Sequence, residues 1–400
     1  LNVGIDFTAY INHTTQYYQE KKAGKEDAFN AKSQQDIRRL SVYADQNHKL
    51  GKGWMLNYGT KFSFASDKSS QVYHSLREHD CSISNSYSKL DEYVYDLYTG
   101  FSKSFSDNLS VNASLTGEYY KHKEIDYWSL FPMMEITYRA HPSHILQLSV
   151  SSDKTYPSYW EMQNTVSYLN GYTEIQGNPD LRPSRLYSAQ LNYILKNKYI
   201  FPLYANYIDN NFNQLPYQSS ERLVLIYKTL NFDYSSKLGL NVMIPFKAGS
   251  VLDSRLTLNG YYDKMKCDNY HDISFNKDNL AFYAELNNTF NISSKPTIKA
   301  EVSGSYITRN IQGPMTISSM YNVDAGLKWI SPNGKAEISL KVDDMFNSWV
   351  PKDLNLQYKT QDLHMRMIPD SRRVSLSFIY KFGDFKAKEH KEVDSSRFGK

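Results

Sequence analysis

The sequence predicts an all-β protein: an antiparallel transmembrane β-barrel of about sixteen strands, with long loops at one end and short turns at the other. Three observations predict it. Apolar residues recur with a period of two, the alternating segments run to about 10–13 residues, and short connections alternate with long ones.

The first apolar row is Val3, Ile5, Phe7, Ala9 and Ile11, each followed by a polar or small residue. The same alternation runs through Trp54–Phe64, Tyr93–Phe101 and Leu109–Tyr119. It is cleaner in Leu256–Tyr262, Phe282–Ile292, Ile298–Tyr306, Tyr321–Trp329, Ala336–Val342 and Val374–Phe382. A helix would repeat apolar residues at three and four. Soluble strands average about 5–6 residues, so length and alternation together favour a membrane barrel over a sandwich. Odd positions of Tyr321–Trp329 and even positions of Ala336–Val342 are expected to face lipid. Lys299, Glu301, Ser303, Asn322, Asp324 and Lys328 are expected to line the interior.

Short connections are expected at His48–Gly53, Lys103–Asn108, His141–Ser143, Lys196–Lys198, Lys247–Val251, Ser293–Pro296 and Ser331–Lys335. The last carries the hairpin signal Asn333-Gly334. Long connections are expected at Thr15–Gln35, Ser66–Leu90, Lys154–Ser184, Asp209–Glu221, Lys266–Asn279, Arg309–Met320 and Asp344–Ser371. Lys121–Ile125 is short where a long one is due. In outer-membrane barrels short turns face the periplasm and long loops the exterior. Pro132, Pro202 and Pro245 fall within these strands and are placed at strand ends or bulges, because proline removes a ladder donor. Arg222–Phe246 changes parity midway. It reads as one long bulged strand projecting above the membrane, or as a hairpin inside a loop.

Composition suits such a wall. Of 400 residues, 40% are hydrophobic and 14% aromatic, including 34 tyrosines, and mean hydropathy is −0.60. A soluble core of this size needs more Leu, Ile and Val. A barrel needs one apolar face, with Tyr and Trp where that face meets the headgroups. No stretch reaches the roughly 20 apolar residues of a membrane-spanning helix, a test that a barrel does not have to pass. A net charge of +4 gives no electrostatic case for nucleic acid. Leu1 opens inside an alternating segment without a signal peptide, so the chain is expected to be a mature or truncated piece of an exported protein. Cys81 and Cys267 match no zinc spacing and read as loop thiols, unpaired or incidentally paired.

Beyond pattern, certain stretches carry specific text. They are Phe131-Pro132, Tyr156-Pro157-Ser158-Tyr159-Trp160-Glu161 and Gly177-Asn178-Pro179-Asp180-Leu181-Arg182-Pro183. Further on come Leu340–Asn347, Val374–Gly383 with its Tyr-Lys-Phe-Gly ending, and the tail closing in Arg-Phe-Gly-Lys. This text resembles the C-terminal barrel of TonB-dependent receptors, the outer membrane protein β-barrel family. The resemblance implies a bacterial outer-membrane receptor barrel of about twenty-two strands filled by an N-terminal plug. It further implies energised uptake, through the TonB complex, of a small ligand such as a metal chelate, glycan or peptide. The plug, the TonB-contacting segment and about six strands have no counterpart in the sequence. Residues 1–383 are assigned to the barrel and 384–400 to a polar periplasmic tail.

Within the loop Asp153–Ser184, Tyr156, Tyr159, Trp160, Tyr168 and Tyr172 either form a ligand-contacting surface or pack the loop upon itself. Gly177, Asn178, Pro179, Asp180, Leu181 and Pro183 are assigned a structural role at the entry to the next strand. His74, His79, Asp80 and Cys81 could ligate a metal by residue type, but a solvated loop supplies no fixed geometry, and no metal or cofactor is expected. His141 and His144 read as turn residues. No motif joins a nucleophile to a base and its orienting partner, so no enzyme is expected. The rival readings are a passive porin or structural barrel complete at about sixteen strands and, ranked lower, a soluble β-rich binding protein.

Overall fold

The computed structural model describes residues 1–22, 25–76, 85–368 and 370–383, together with Arg397. The period-two segments form strands joined in hairpins. The first run is β1 (Asn2–Lys22), β2 (Lys25–Lys49), β3 (Trp54–Ser75), β4 (Ser86–Ser106), β5 (Leu109–His122), β6 (Ile125–His141) and β7 (His144–Thr155). A short hairpin follows, β8 (Val166–Asn170) and β9 (Thr173–Gln176), before β10 (Ser184–Leu195) and β11 (Tyr199–Asp209). A second, β12 (Phe212–Gln218) and β13 (Leu225–Asn231), precedes β14 (Tyr234–Ala248), β15 (Leu252–Tyr270), β16 (Ile273–Ser294) and β17 (Thr297–Ile307). A third, β18 (Asn310–Gln312) and β19 (Met315–Ile317), leads to β20 (Met320–Ile330) and β21 (Ala336–Asp343). The last, β22 (Asp353–Tyr358) and β23 (Gln361–Arg366), leads to β24 (Arg373–Tyr380).

Leaving out those four hairpins, sixteen strands form one antiparallel sheet in chain order from β1 to β24, as the alternation predicts. The sheet is not closed: β1 and β24 are its edges. Its faces are reversed relative to a soluble protein. Leu97, Leu130 and Phe282 are 57%, 59% and 55% exposed, while Glu92 and Glu118 are 2% exposed. Burying apolar side chains in protein is worth about 25 cal/mol per Å², and hydrocarbon around the wall supplies the same environment from outside. The polar side chains are left to satisfy one another within, as where Ser41 Oγ and Ser63 Oγ lie 2.8 Å apart.

The seven short connections form turns. Lys196 and Asn197 take φ of 54° and 52°, the left-handed pair of a hairpin turn that matches strand twist. In Ser331–Lys335, Gly334 at φ 68° donates its N–H to the Ser331 carbonyl at 2.8 Å.

The long connections differ from expectation in two ways. Thr15–Gln35 is no loop: β1 and β2 stay paired from Asn2↔Asp45 to Lys22↔Lys25. Lys266–Asn279 and much of Ser66–Leu90 likewise continue their strands, with β15 and β16 paired up to Tyr270↔Ile273. These strands reach 19–25 residues, well beyond the roughly 10–13 that a tilted crossing uses. Above the apolar band the outward positions turn polar, which hides the period from a hydrophobicity reading while the ladder continues.

The other long connections fold into the short hairpins, which build two accessory sheets ordered β12-β13-β9-β8 and β18-β19-β22-β23. Both pack on the tip of the β15–β16 hairpin. There Leu215, Phe232, Tyr270, Phe275, Met315 and Leu356 form a core of the soluble kind. Arg222–Phe246 is therefore not one bulged strand. Its parity changes at Phe232 and Asp233, where the β12–β13 hairpin hands over to β14. Cys267 belongs to that core and to β15, not to a loop, and burial pushes its thiol up to about 11. Cys81 lies outside the described residues.

The three prolines sit inside strands, not at bulges. Pro202 and Pro245 come within three residues of a strand end, whereas Pro132 is mid-strand. Each faces a gap in one ladder. β6 pairs with β7 only from Met134↔Val150, and β11 skips from Ile200↔Met243 to Leu203↔Leu240 against β14. A missing proline N–H costs nothing where no acceptor is presented. Arg397, the one described residue of 384–400, is buried against Glu92 on the inner face of β4.

Adjacent residues of β15 test the face assignment. Leu258 points outward and is exposed. Thr257 shares the inner face with Asn259, which accepts a hydrogen bond from Tyr204 Oη at 3.1 Å. Leu258→Arg should destabilise the folded barrel by about 2–4 kcal/mol, and Thr257→Arg by much less. Equal losses in urea unfolding from lipid vesicles would reverse the two faces.

Candidate functional site

Alternation places Glu92, Val94 and Asp96 of β4 on the inner face, beside Glu118, Tyr120 and His122 of β5. The connection after β7 folds down onto this wall. Ser158 and Glu161 hold its first turn reciprocally: the Ser158 N–H and Oγ donate to Glu161 Oε2 at 3.0 and 2.8 Å, and the Glu161 N–H donates back to Ser158 Oγ at 3.3 Å. This is the logic of a helix capping box used in a loop. It aims Tyr159 inward, where Tyr159, Met162 and Leu181 pack with Ile37, Ala65 and Leu90 of the wall.

Gly177-Asn178-Pro179-Asp180-Leu181-Arg182-Pro183 ties the far end of the connection. A Cβ at Gly177 would lie 1.8 Å from the Gln163 carbonyl oxygen, so only glycine fits. Asn178 donates from Nδ2 to the Thr229 carbonyl at 2.9 Å and accepts from the Asp180 N–H at 3.2 Å. The Pro179 carbonyl accepts from Lys123 Nζ at 3.3 Å. Asn231 clasps the Arg182 backbone on both sides at 2.9 Å, and Pro183 is buried just before β10.

The five aromatic residues singled out by sequence do not form one surface. Tyr156 faces an inner-wall cavity of about 510 Å³, lined also by Arg39, Lys61, Glu92, Asp96, Lys154 and Arg397, and Tyr159 is fully buried behind it. Trp160 is half-buried beside them. Tyr168 packs against Tyr18 and Phe29 at ring separations of 5.8 and 5.6 Å. It lines a second, more polar cavity of about 530 Å³, where Arg222 grips Glu174 through two bonds of 2.9 Å. Tyr172 is exposed at the β8–β9 turn.

The first cavity is an ion-paired lining. Lys154 Nζ lies 2.7 Å from Asp96 Oδ1 and also pairs with Glu118, whose carboxylate accepts the Tyr156 hydroxyl. Glu92 accepts from Tyr120 Oη at 3.0 Å and Tyr159 Oη at 3.2 Å, and pairs with Arg397 at 2.7 Å. Sequence reading missed Glu92, Glu118, Lys154 and Arg397. For Glu92 and Glu118 the available signal was charge at inward-facing positions of β4 and β5.

Asp344, in the Asp343–Asn347 text, was also missed. It is buried and accepts from the Ser348 and Trp349 N–H groups at 2.9 Å and from the Ser371 hydroxyl, tying the two ends of the last long connection. Of the metal candidates, His79, Asp80 and Cys81 lie outside the described residues, and His74 is exposed on β3. Among the described residues no three His, Cys, Asp or Glu gather as a metal would require. His141 and His144 sit at their turn, with Ser143 Oγ and Tyr193 Oη at 2.8 and 2.7 Å.

A wall apolar outside, polar and ion-paired inside, and roofed by folded loops is that of a transmembrane β-barrel. The chain belongs to the outer membrane protein beta-barrel family, whose sequence pattern matches residues 1–380, and is thus a protein of the bacterial outer membrane.

Solved structures agree on the fold. The FrpB iron transporter from Neisseria meningitidis is similar at 13% identity and a TM-score of 0.55, over 93% of this chain and 64% of that one. The ferric enterobactin receptor PfeA from Pseudomonas aeruginosa is similar at 10% identity and a TM-score of 0.55, over 94% and 62%. FpvA of P. aeruginosa, bound to a heterologous pyoverdine, is similar at 12% identity and a TM-score of 0.56, over 94% and 53%. The chain thus spans less than two thirds of the length of these proteins. A sequence search of curated proteins finds no match.

Two outcomes test how the loops are held. Gly177→Ala should cost about 1–3 kcal/mol through overpacking against fixed backbone, seen as faster proteolysis between residues 160 and 183. Acid should loosen the roof in two steps. His271 stacks on Tyr217 at 4.0 Å, and burial, with Lys228 nearby, lowers its pKa from 6.5 to about 4. The unfolded loop binds that proton first, so stability falls as pH drops from 6.5 towards 4. Burial alone would raise the Asp344 carboxyl, but hydrogen bonds from Ser371, Ser348 and Trp349 hold it below 3.8. Its contribution persists above 3.8 and is lost as pH falls further. Hydrogen-exchange protection around residue 271 should therefore fail at higher pH than around 344–349, and His271→Phe should remove the first step alone.

Proposed function

We propose that this chain forms the wall of a TonB-dependent outer-membrane receptor that imports a small ligand. The observation that carries the reading is the inner-wall cavity, whose buried, paired charges and Tyr156 lie beneath ordered loops at the long-loop end. A simple pore needs neither a folded roof nor a built recess. The fold shared with an iron transporter and a ferric enterobactin receptor supports a metal chelate as cargo, with a glycan or peptide as the other ligand classes. In this reading the accessory sheets and Tyr172 meet the ligand outside the cell, and Tyr156 meets it within. The partners are outer-membrane lipid, a plug inside the wall and the TonB complex beneath it. No nucleic acid, resident cofactor or enzymatic role is proposed.

The test is uptake by cells that carry or lack the gene, offered labelled ferric chelates, oligosaccharides and peptides with and without a protonophore. Uptake of one class that needs both the gene and an energised membrane is the expected result. Gene-dependent uptake that persists under the protonophore would instead establish a passive pore.

A further inference from the structure

Arg397 occupies a site that the wall has already built. Its guanidinium donates from Nη1 and Nη2 to Glu92 Oε1 and Oε2 at 2.7 and 2.9 Å, and from Nε and Nη2 to the Pro157 carbonyl at 3.2 and 3.1 Å. It lies over the rings of Tyr156 and Tyr159, 4.6 and 4.4 Å from their centroids. Three walls of this cage are held by something other than Arg397. The Glu92 carboxylate is fixed by the hydroxyls of Tyr120 and Tyr159, the Tyr156 hydroxyl by Glu118, and the Tyr159 ring by Met162, Leu181 and Ile37. Lys154, the neighbouring cation, is committed to Asp96 and Glu118.

We propose that Glu92, Tyr120, Tyr156, Tyr159 and the Pro157 carbonyl form a guanidinium-binding site on the inner wall, filled by Arg397 and open to the arginine side chain of a peptide when Arg397 is withdrawn. The selectivity follows from shape. A carboxylate and a carbonyl placed to receive the two edges of a planar fork, between two aromatic faces, suit arginine; a lysine ammonium is a point charge that meets one acceptor and stacks less well. Glu92 is almost fully buried, and a buried carboxylate left without its counter-charge is strongly disfavoured, so removing the resident arginine creates demand for another. The site goes beyond the uptake reading and depends only on the inner-wall geometry.

The experiment is calorimetry on the full-length receptor purified in detergent, titrated with N-acetyl-arginine amide and, separately, N-acetyl-lysine amide. Arg397→Gln should bind the arginine probe at least about tenfold more tightly than the unaltered protein, and about tenfold more tightly than the lysine probe. Adding Glu92→Gln should abolish binding. Adding Tyr156→Leu instead, which leaves Glu92 in place, should erase the preference for arginine. Equal affinity of Arg397→Gln and the unaltered protein would overturn the assignment of Arg397 as occupant. Absence of arginine binding to Arg397→Gln, or a preference that survives Tyr156→Leu, would overturn the site. None of these outcomes bears on energised uptake, which can succeed or fail independently.

Discussion

Within hydrocarbon no water is available to a backbone N–H or C=O, so every strand of this chain must find its partners in the strands beside it. Continuous lateral pairing follows, and with it strict alternation, because a ladder that cannot break cannot let side chains wander between faces. The outward rows are then apolar by necessity and the inward rows are free to be polar. Departures from pairing gather where they are harmless, as at Pro132, Pro202 and Pro245, each set against an unpaired stretch of the neighbouring strand. The main sheet is thus almost fully specified by the solvent around it.

Above the bilayer the same ladders continue for a different reason. β15 and β16 stay paired to Tyr270↔Ile273 and carry Cys267, Tyr270, Ile273 and Phe275 into water. Apolar side chains there must be covered by protein, and the two accessory sheets cover them. One protein therefore uses two opposite rules of burial, apolar outward in the wall and apolar inward in the roof. The join runs through single strands, so a change at the roof core acts on the position of the loops without passing through the membrane. The tyrosines of the loop after β7 divide along this line: Tyr159 is locked to the wall, Tyr168 packs under the roof and Tyr172 is left at the surface.

This division explains what could be read in advance. The sixteen-strand count and the seven turns were legible, because lipid imposes one pattern and Asn333-Gly334 or Lys196-Asn197 marks where it stops. The strands above the membrane were not, since Thr15–Gln35 keeps its ladder while losing its hydrophobic signature. The small hairpins were half legible. The parity change in Arg222–Phe246 was visible, but the choice between bulge and hairpin depends on the core around Phe232, which is assembled from distant strands. At the candidate site, Tyr156 and Tyr159 were found as residue types, and the Gly177–Pro183 text was found as a unit. Glu92 and Arg397 were not, because their pairing spans 305 positions and no local pattern encodes it.

The inner wall also shows how a barrel tolerates buried charge. Lys154 of β7 bridges Asp96 and Glu118, carried by the neighbouring strands β4 and β5, so the partners of that cluster all come from the sheet itself. Glu92 differs: its partner comes from the 384–400 tail, outside the strands altogether. A buried pair is weak evidence for stability, because desolvation offsets much of the attraction, but it is strong evidence for position, because removing one member strands the other. The geometry around Glu92 is more specialised than neutralisation requires. One ammonium would cancel its charge, whereas two tyrosine faces and a carbonyl set at the second edge discriminate a planar fork from any other cation. The wall is accordingly a lining whose buried charges are paired from within the sheet at Lys154 and, beside Glu92, one that recognises a shape.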